Sequence, residues 1–208
     1  MRGWLLLRAF GIAFDYEVVP LDTPEFDEYT QAHYPILTVP ALQALDGECS
    51  TSIWDSLSIT EFLHEQHPDA GYWPDDKIQR ALARSLTAEM HSSFLDLRGT
   101  MPTNFRRVYQ SFVPCPEAQV DIDRVVELWD WAASQWGDPN PYMFGQRYYA
   151  VDAFYTPVAS RFHTYGVQLP ERAQRYADSL LSHPAALEFI AAGEQEPWVL
   201  ATNEFDIE

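Results

Sequence analysis

The pattern of this chain changes once, at Pro68-Asp69-Ala70-Gly71 and Trp73-Pro74, and that change limits the folds open to it. Upstream, strand and helix patterns alternate; downstream, every periodic segment is helical. Closely spaced proline and glycine interrupt regular structure, so the 208 residues divide there into an α/β domain at 1–74 and an all-helical domain at 78–208. In the first, Trp4, Leu5, Leu7, Arg8 and Phe10 run at helical density up to Gly11, and Asp15–Leu21 reads as a strand. Thr23–Tyr34 is a polar, proline-bounded segment. A strand near Ala41–Leu45, a turn at Asp46-Gly47 and a strand near Ser50–Ile53 precede a helix from Ser56 to about Gln66, with Asp55 as N-cap and Ile59, Phe62 and Leu63 on its apolar face. In the second domain Ile78–Arg98 sets Ile78, Leu82, Leu86, Met90, Phe94 and Leu97 on one stripe. Asp123–Trp136 does the same through Val125, Trp129, Ala132 and Trp136, closed by Gly137. Helices at Ala153–Tyr165, Glu171–Leu181 and Pro184–Ala192 complete it.

Charge narrows the partners. The net charge is −18 and Lys77 is the only lysine, so the long-range field repels nucleic acid and anionic membrane surfaces. An acidic interaction module has only this charge to recommend it; a salt-rich cytoplasm would also suit it. Cys49 and Cys115 lie far apart, without metal-ligand spacing, which points to a reducing, cytoplasmic setting and no metal. No stretch has the length and apolarity of a bilayer-spanning helix or the form of a secretory signal.

Four stretches, in order, resemble the cytosolic glutathione transferase family: Arg2-Gly3-Trp4-Leu5-Leu6-Leu7-Arg8, Thr38-Val39-Pro40-Ala41-Leu42, Ile53-Trp54-Asp55-Ser56-Leu57-Ser58-Ile59, and Phe144-Gly145 leading to Val151-Asp152-Ala153-Phe154. Ala88-Glu89-Met90-His91-Ser92-Ser93-Phe94, with Leu97-Arg98 and Met101-Pro102, is similar to a bacterial, zeta-like subgroup. The resemblance implies a thioredoxin-like N-terminal domain, an all-helical C-terminal domain, glutathione as co-substrate and a homodimer.

The same resemblance assigns a glutathione site. A cis bond at Val39–Pro40 would turn the neighbouring N–H and C=O outward, toward the cysteinyl backbone of glutathione; taken alone, Val-Pro reads as an ordinary strand start, and the family context is what reverses that reading. Asp55-Ser56 stands at a helix N-terminus, where free N–H groups and the dipole suit a carboxylate and Asp55 can meet an ammonium; plain N-capping would need one of the two. The expected glutathione-binding residues are thus Val39, Pro40, Asp55 and Ser56. Asp152 resembles the family's capping-box acid, although Tyr149 stands where that box has Ser or Thr. Tyr34-Pro35-Ile36-Leu37-Thr38-Val39-Pro40 puts Leu37 and Thr38 where family members often carry a flexible glycine and a cation, which removes one charge-assisted hydrogen bond.

In the family a strand and a short loop precede the first helix, and the loop brings the Ser, Tyr or Cys that acts on the glutathione sulfur. Here the helix starts at Arg2, so the expectation is a thioredoxin-like domain without its first strand, no catalytic residue in this sequence, and a longer natural start. For the second substrate, Arg84, His91 and Arg98 recur every seven residues and could form an anion-binding wall; ion pairing with neighbouring acids explains them as well. Met90, His91, Phe94 and Arg98 are the candidate pocket, although Met90, Phe94 and Phe105 at helical spacing are more often simple core. The expected function is transfer of glutathione to small electrophiles, isomerisation or disulfide reduction through a bound thiolate. A non-catalytic, glutathione-binding scaffold is the alternative.

Overall fold

A computed structural model describes residues 1–46, 49–137 and 141–205. The chain forms two compact units, residues 2–72 and residues 73–208, with Met1 grouped with the second.

The smaller unit contains α1 (Arg2–Arg8), α2 (Pro24–Ala32), β1 (Leu42–Asp46), β2 (Cys49–Ile53) and α3 (Ser56–Gln66). Helix α1 buries Leu5 and Leu6 completely, and the Tyr72 hydroxyl donates to the Leu6 carbonyl at 2.7 Å. Phe10 stacks on Tyr72 with ring centres 4.1 Å apart. Helix α3 turns Ile59 and Leu63 inward and packs against α1. Strands β1 and β2 pair antiparallel from Leu42↔Ile53 to Asp46↔Cys49; the expected turn includes Gly47, which lies outside the described residues.

Two expectations change in this unit. Asp15–Leu21 is not a strand: among the described residues the sheet holds β1 and β2 alone. A strand needs a ladder partner; here the alternation is met by rings, because Phe14 and Tyr16 both pack edge-on against Trp4, at 5.3 and 5.2 Å, and Arg8 lies 5.2 Å from the Trp4 ring. The polar segment after Thr23 is a helix. Thr23 Oγ1 accepts from Phe26 N at 3.3 Å, Pro24 opens the helix and Glu25 and Asp27 lie in its first turn, a standard set of start signals.

The larger unit contains α4 (Lys77–Ser92), α5 (Leu95–Thr100), α6 (Pro116–Trp136), α7 (Ala150–Thr164), α8 (Glu171–Leu181) and α9 (Pro184–Glu194). The helix expected over Ile78–Arg98 is therefore two. Phe94 adopts φ +61°, outside the right-handed helix, while its side chain stays buried, and Leu97 N donates instead to Asp121 Oδ2 at 3.0 Å. Helix α6 begins earlier than expected, with Cys115 Sγ accepting from Ala118 N at 3.4 Å and Pro116 in the first position.

Helix α7 is almost wholly enclosed, and Trp129 from α6 meets its Tyr155 and Phe162 and Tyr176 of α8 edge-on, at 5.8, 5.7 and 4.9 Å. Asp152, fully buried in the first turn of α7, accepts from Tyr149 N (2.8 Å), Met143 N (3.1 Å) and the Tyr176 hydroxyl (2.7 Å). The return bond of the cap comes from a backbone group, since Asp152 N donates to the Tyr149 carbonyl at 3.0 Å. Among the described residues no helix is long and apolar enough to cross a membrane.

Two expectations can be measured. A Cβ at Gly3 would stand 2.7 Å from Pro40 Cβ. Alanine gains about 1 kcal/mol over glycine in a helix, yet a contact this short against a rigid ring outweighs it, so Gly3→Ala lowers unfolding free energy by roughly 1–3 kcal/mol in urea titration. Burial raises the Asp152 carboxyl to about 6, against hydrogen bonds that lower it. The folded chain then holds a proton that the unfolded chain releases near pH 4, so this group's contribution falls as pH rises from about 4 through 6. Asp152→Asn removes that slope: the stability difference between native chain and variant changes between pH 4.5 and pH 7, and a constant difference contradicts it.

Candidate functional site

The β-hairpin determines which segments meet. Because Leu42 pairs with Ile53, Val39-Pro40 just before β1 and Asp55-Ser56 just after β2 lie at the same end of the sheet. The Val39–Pro40 peptide is cis. Val39 is 48% exposed, and Pro40 is held from behind by Gly3 of α1, where a side chain would not fit.

Asp55 caps α3. Its Oδ1 accepts from Leu57 N at 2.8 Å and its carbonyl from Ile59 N at 2.9 Å. Ser56, the first residue of the helix, is 1% exposed; its carbonyl accepts from the Thr60 hydroxyl at 2.7 Å, but its own Oγ has no hydrogen-bond partner among the described residues. An enclosed hydroxyl without a partner costs about 1–3 kcal/mol. Capping therefore explains Asp55 and leaves Ser56 unexplained. Chemically this corner combines a carboxylate, an unused hydroxyl and the positive end of a helix, which suits a ligand bearing both an ammonium and a carboxylate.

The second candidate group lies in the helical unit. Met90 and Phe94 are 2% and 4% exposed, in the core. The His91 ring meets Phe154 edge-on at 6.3 Å, and Arg98 Nη1 donates to the His91 carbonyl at 3.1 Å. The break at Phe94 puts Arg98 on α5, so Arg84, His91 and Arg98 do not share one helix face as their spacing suggested; Arg84 lies 5.4 Å from the Trp73 ring. Among the described residues no group of His, Cys, Asp or Glu could hold a metal ion. Two features escaped the sequence: the orphaned hydroxyl of Ser56, invisible without coordinates, and the contact of Gly3 with Pro40, whose only signal was a glycine inside a short helix.

Residues 1–66 match the N-terminal domain of glutathione S-transferase. A probable maleylacetoacetate isomerase of Caenorhabditis elegans is 32% identical over 109 residues, 52% of this chain and 46% of that protein. Maleylacetoacetate isomerase of Rattus norvegicus is 33% identical over 91 residues, 41% of this chain and 40% of that one. The chain thus spans less than half the length of these curated relatives.

Among solved structures, a glutathione transferase homolog from Burkholderia gl BGR1 with bound glutathione superposes with a TM-score of 0.67 at 21% identity, covering 94% of this chain and 91% of that one. Maleylacetoacetate isomerase from Anaeromyxobacter dehalogenans 2CP-1, with dicarboxyethyl glutathione and citrate in its active site, gives 0.66 at 21%, over 94% and 90%. A bacterial zeta-class maleyl pyruvate isomerase gives 0.66 at 21%, over 95% and 93%. At this identity the likeness establishes the fold, a thioredoxin-like N-terminal part followed by an all-helical part.

Neighbouring side chains respond in opposite ways to truncation. Asp55→Ala costs about 1 kcal/mol through the lost cap. Ser56→Ala in the unliganded chain is neutral or stabilising, because it deletes an unsatisfied polar atom. Chemical denaturation of both variants checks this, and equal losses would contradict it.

Proposed function

We propose, for a chain that belongs to the cytosolic glutathione transferase family and is zeta-like within it, that it binds glutathione at Val39, Pro40, Asp55 and Ser56 and serves a glutathione-dependent transferase or isomerase reaction. The observation that carries this is the Ser56 hydroxyl, enclosed without a partner beside Asp55 at the start of α3. Asp55 supplies a carboxylate for the γ-glutamyl ammonium, Ser56 a hydroxyl for its carboxylate, and the Val39 backbone an exposed edge for the cysteinyl unit. When bound, glutathione supplies a thiol whose thiolate is the nucleophile.

For the electrophile we infer a small unsaturated acid of the maleyl type, because the curated relatives carry maleylacetoacetate isomerase activity in their names. His91 and Arg98 of the helical unit are the residues assigned to it, backed by Met90 and Phe94. The same family reading extends to a cytoplasmic homodimer; the apolar groove of Leu82, Leu86, Leu128 and Trp131 between α4 and α6, with the Glu89–Arg124 pair beside it, supports pairing. A non-catalytic scaffold is favoured by one feature: Leu37, 63% exposed, and Thr38 stand where the family resemblance leads one to expect a glycine and a cation.

Calorimetric titration with glutathione tests the site. Ser56→Ala, folded as judged by circular dichroism, binds at least about tenfold more weakly, the value of one lost charge-assisted hydrogen bond of about 1.4 kcal/mol. Unchanged affinity would overturn the assignment. Turnover of a maleyl substrate by the native chain supports the isomerase reading, and binding without turnover supports the scaffold.

A further inference from the structure

The end of the described chain lies in a cradle made by the segment between α5 and α6. Glu204 accepts from Asn104 Nδ2 (3.0 Å) at one carboxylate oxygen, and from Arg107 Nε (3.2 Å) and the Tyr109 hydroxyl (3.4 Å) at the other. Phe205 N donates to the same hydroxyl at 3.3 Å. The Phe205 ring stands among Tyr109, Phe112 and Tyr165, with centres 5.5, 5.6 and 5.9 Å away.

Two properties separate this arrangement from ordinary packing. The cradle is built without the tail. Tyr109 N donates to the Thr164 carbonyl at 2.7 Å, the Thr164 hydroxyl to the Asn104 carbonyl at 2.8 Å and the Tyr165 hydroxyl to the Pro102 carbonyl at 2.8 Å, so the end of α7 holds it. Asn104 is 8% exposed, and its Oδ1 accepts from Arg106 N and Arg107 N at 3.0 and 3.2 Å. Those two bonds fix the amide so that its NH2 must face outward as a donor. Among the described residues the tail, in contrast, is held by hydrogen bonds that each have a side chain at one end. Arg106 donates to the carbonyls of Glu196 and Trp198, and Asn104 to that of Asn203. Among the described residues no backbone–backbone hydrogen bond joins 196–205 to the cradle.

A set of donors anchored at Asn104 and Tyr109, beside an aromatic box, is the form of a binding site. We propose that Glu204-Phe205 is an internal ligand, and that the cradle of Asn104, Arg107, Tyr109, Phe112 and Tyr165 is a receptor site for a carboxylate carried next to an aromatic ring, as in an acidic–aromatic pair of an extended peptide. Two recognition elements select it: donors matched to both carboxylate oxygens, and ring edges and faces for the aromatic group. The tail is autoinhibitory. Tethering presents it at an effective concentration of roughly millimolar, so an outside ligand binds weakly until the tail is displaced. None of these residues belongs to the glutathione site, and the proposal stands or falls separately from it.

The probe is N-acetyl-Glu-Phe-amide, titrated by calorimetry into the full chain. The E204Q/F205A chain binds it at least about tenfold more tightly than the unaltered chain. Adding R107A abolishes that gain, and N-acetyl-Gln-Phe-amide shows none of it. Equal affinity in the two chains, or a gain that survives R107A, overturns the proposal. Hydrogen exchange in the unaltered protein gives a second readout that needs no variant: excess probe speeds exchange of the Phe205 amide, which donates to Tyr109, while α7 stays protected. Unchanged protection of that amide under saturating probe also overturns it.

Discussion

A helix enclosed on nearly every side needs the backbone groups at its entry paired. Helix α7 is such a helix, and the Asp152 carboxylate accepts from the N–H of its N-cap residue, Tyr149, and from that of Met143. One oxygen holds Met143 N and the Tyr176 hydroxyl, the other Tyr149 N. One side chain thereby ties the approach to α7, its first turn and α8 into a unit. Burial works against the ionised form and the hydrogen bonds for it, a balance that holds only while all three donors stay in place. Along the same helix, Trp129 meets Tyr155 and Phe162, as well as Tyr176 of α8, and at the far end Thr164 anchors the Tyr109 segment.

The corner formed by Val39-Pro40 and Asp55-Ser56 depends on a different balance. A five-residue ladder and one glycine do most of the positioning: the ladder aligns Val39-Pro40 with Asp55-Ser56, and Gly3 lets α1 close behind the proline ring. Asp55 contributes to stability as a cap, whereas Ser56 costs stability until something pairs with it. That asymmetry is characteristic of a site, where local stability is given up for a group kept ready.

The charge of the chain gains a second meaning from its tail. With a net charge of −18, an acidic tail finds few cations to lie against, and it lies on the Arg106-Arg107 pair beside Asn104, whose Oδ1 is engaged by its neighbours and whose NH2 donates to Glu204.

Local chemistry by itself determined much of this protein. The spans Ser56–Gln66 and Glu171–Leu181, the cap at Asp55 and the hairpin near Leu42–Ile53 follow from side-chain periodicity and end signals that act within a few residues. The signals for α2, Thr23-Pro24-Glu25, were equally local and simply carried more weight than its polarity suggested. Tertiary structure decided the rest. The apolar stripe runs unbroken through Phe94 because Leu86, Met90, Phe94 and Leu97 on either side of the break are buried; what ends α4 is a backbone excursion stabilised by Asp121, distant in sequence. Period-two alternation at Asp15–Leu21 marks an extended chain, but whether it becomes a strand depends on a partner, and here Trp4 answers with rings. An unpaired hydroxyl at Ser56 and a cradle closed by Glu204 exist only through neighbours that no local pattern encodes, since hydrogen bonding is satisfied or denied by what arrives from elsewhere in the chain.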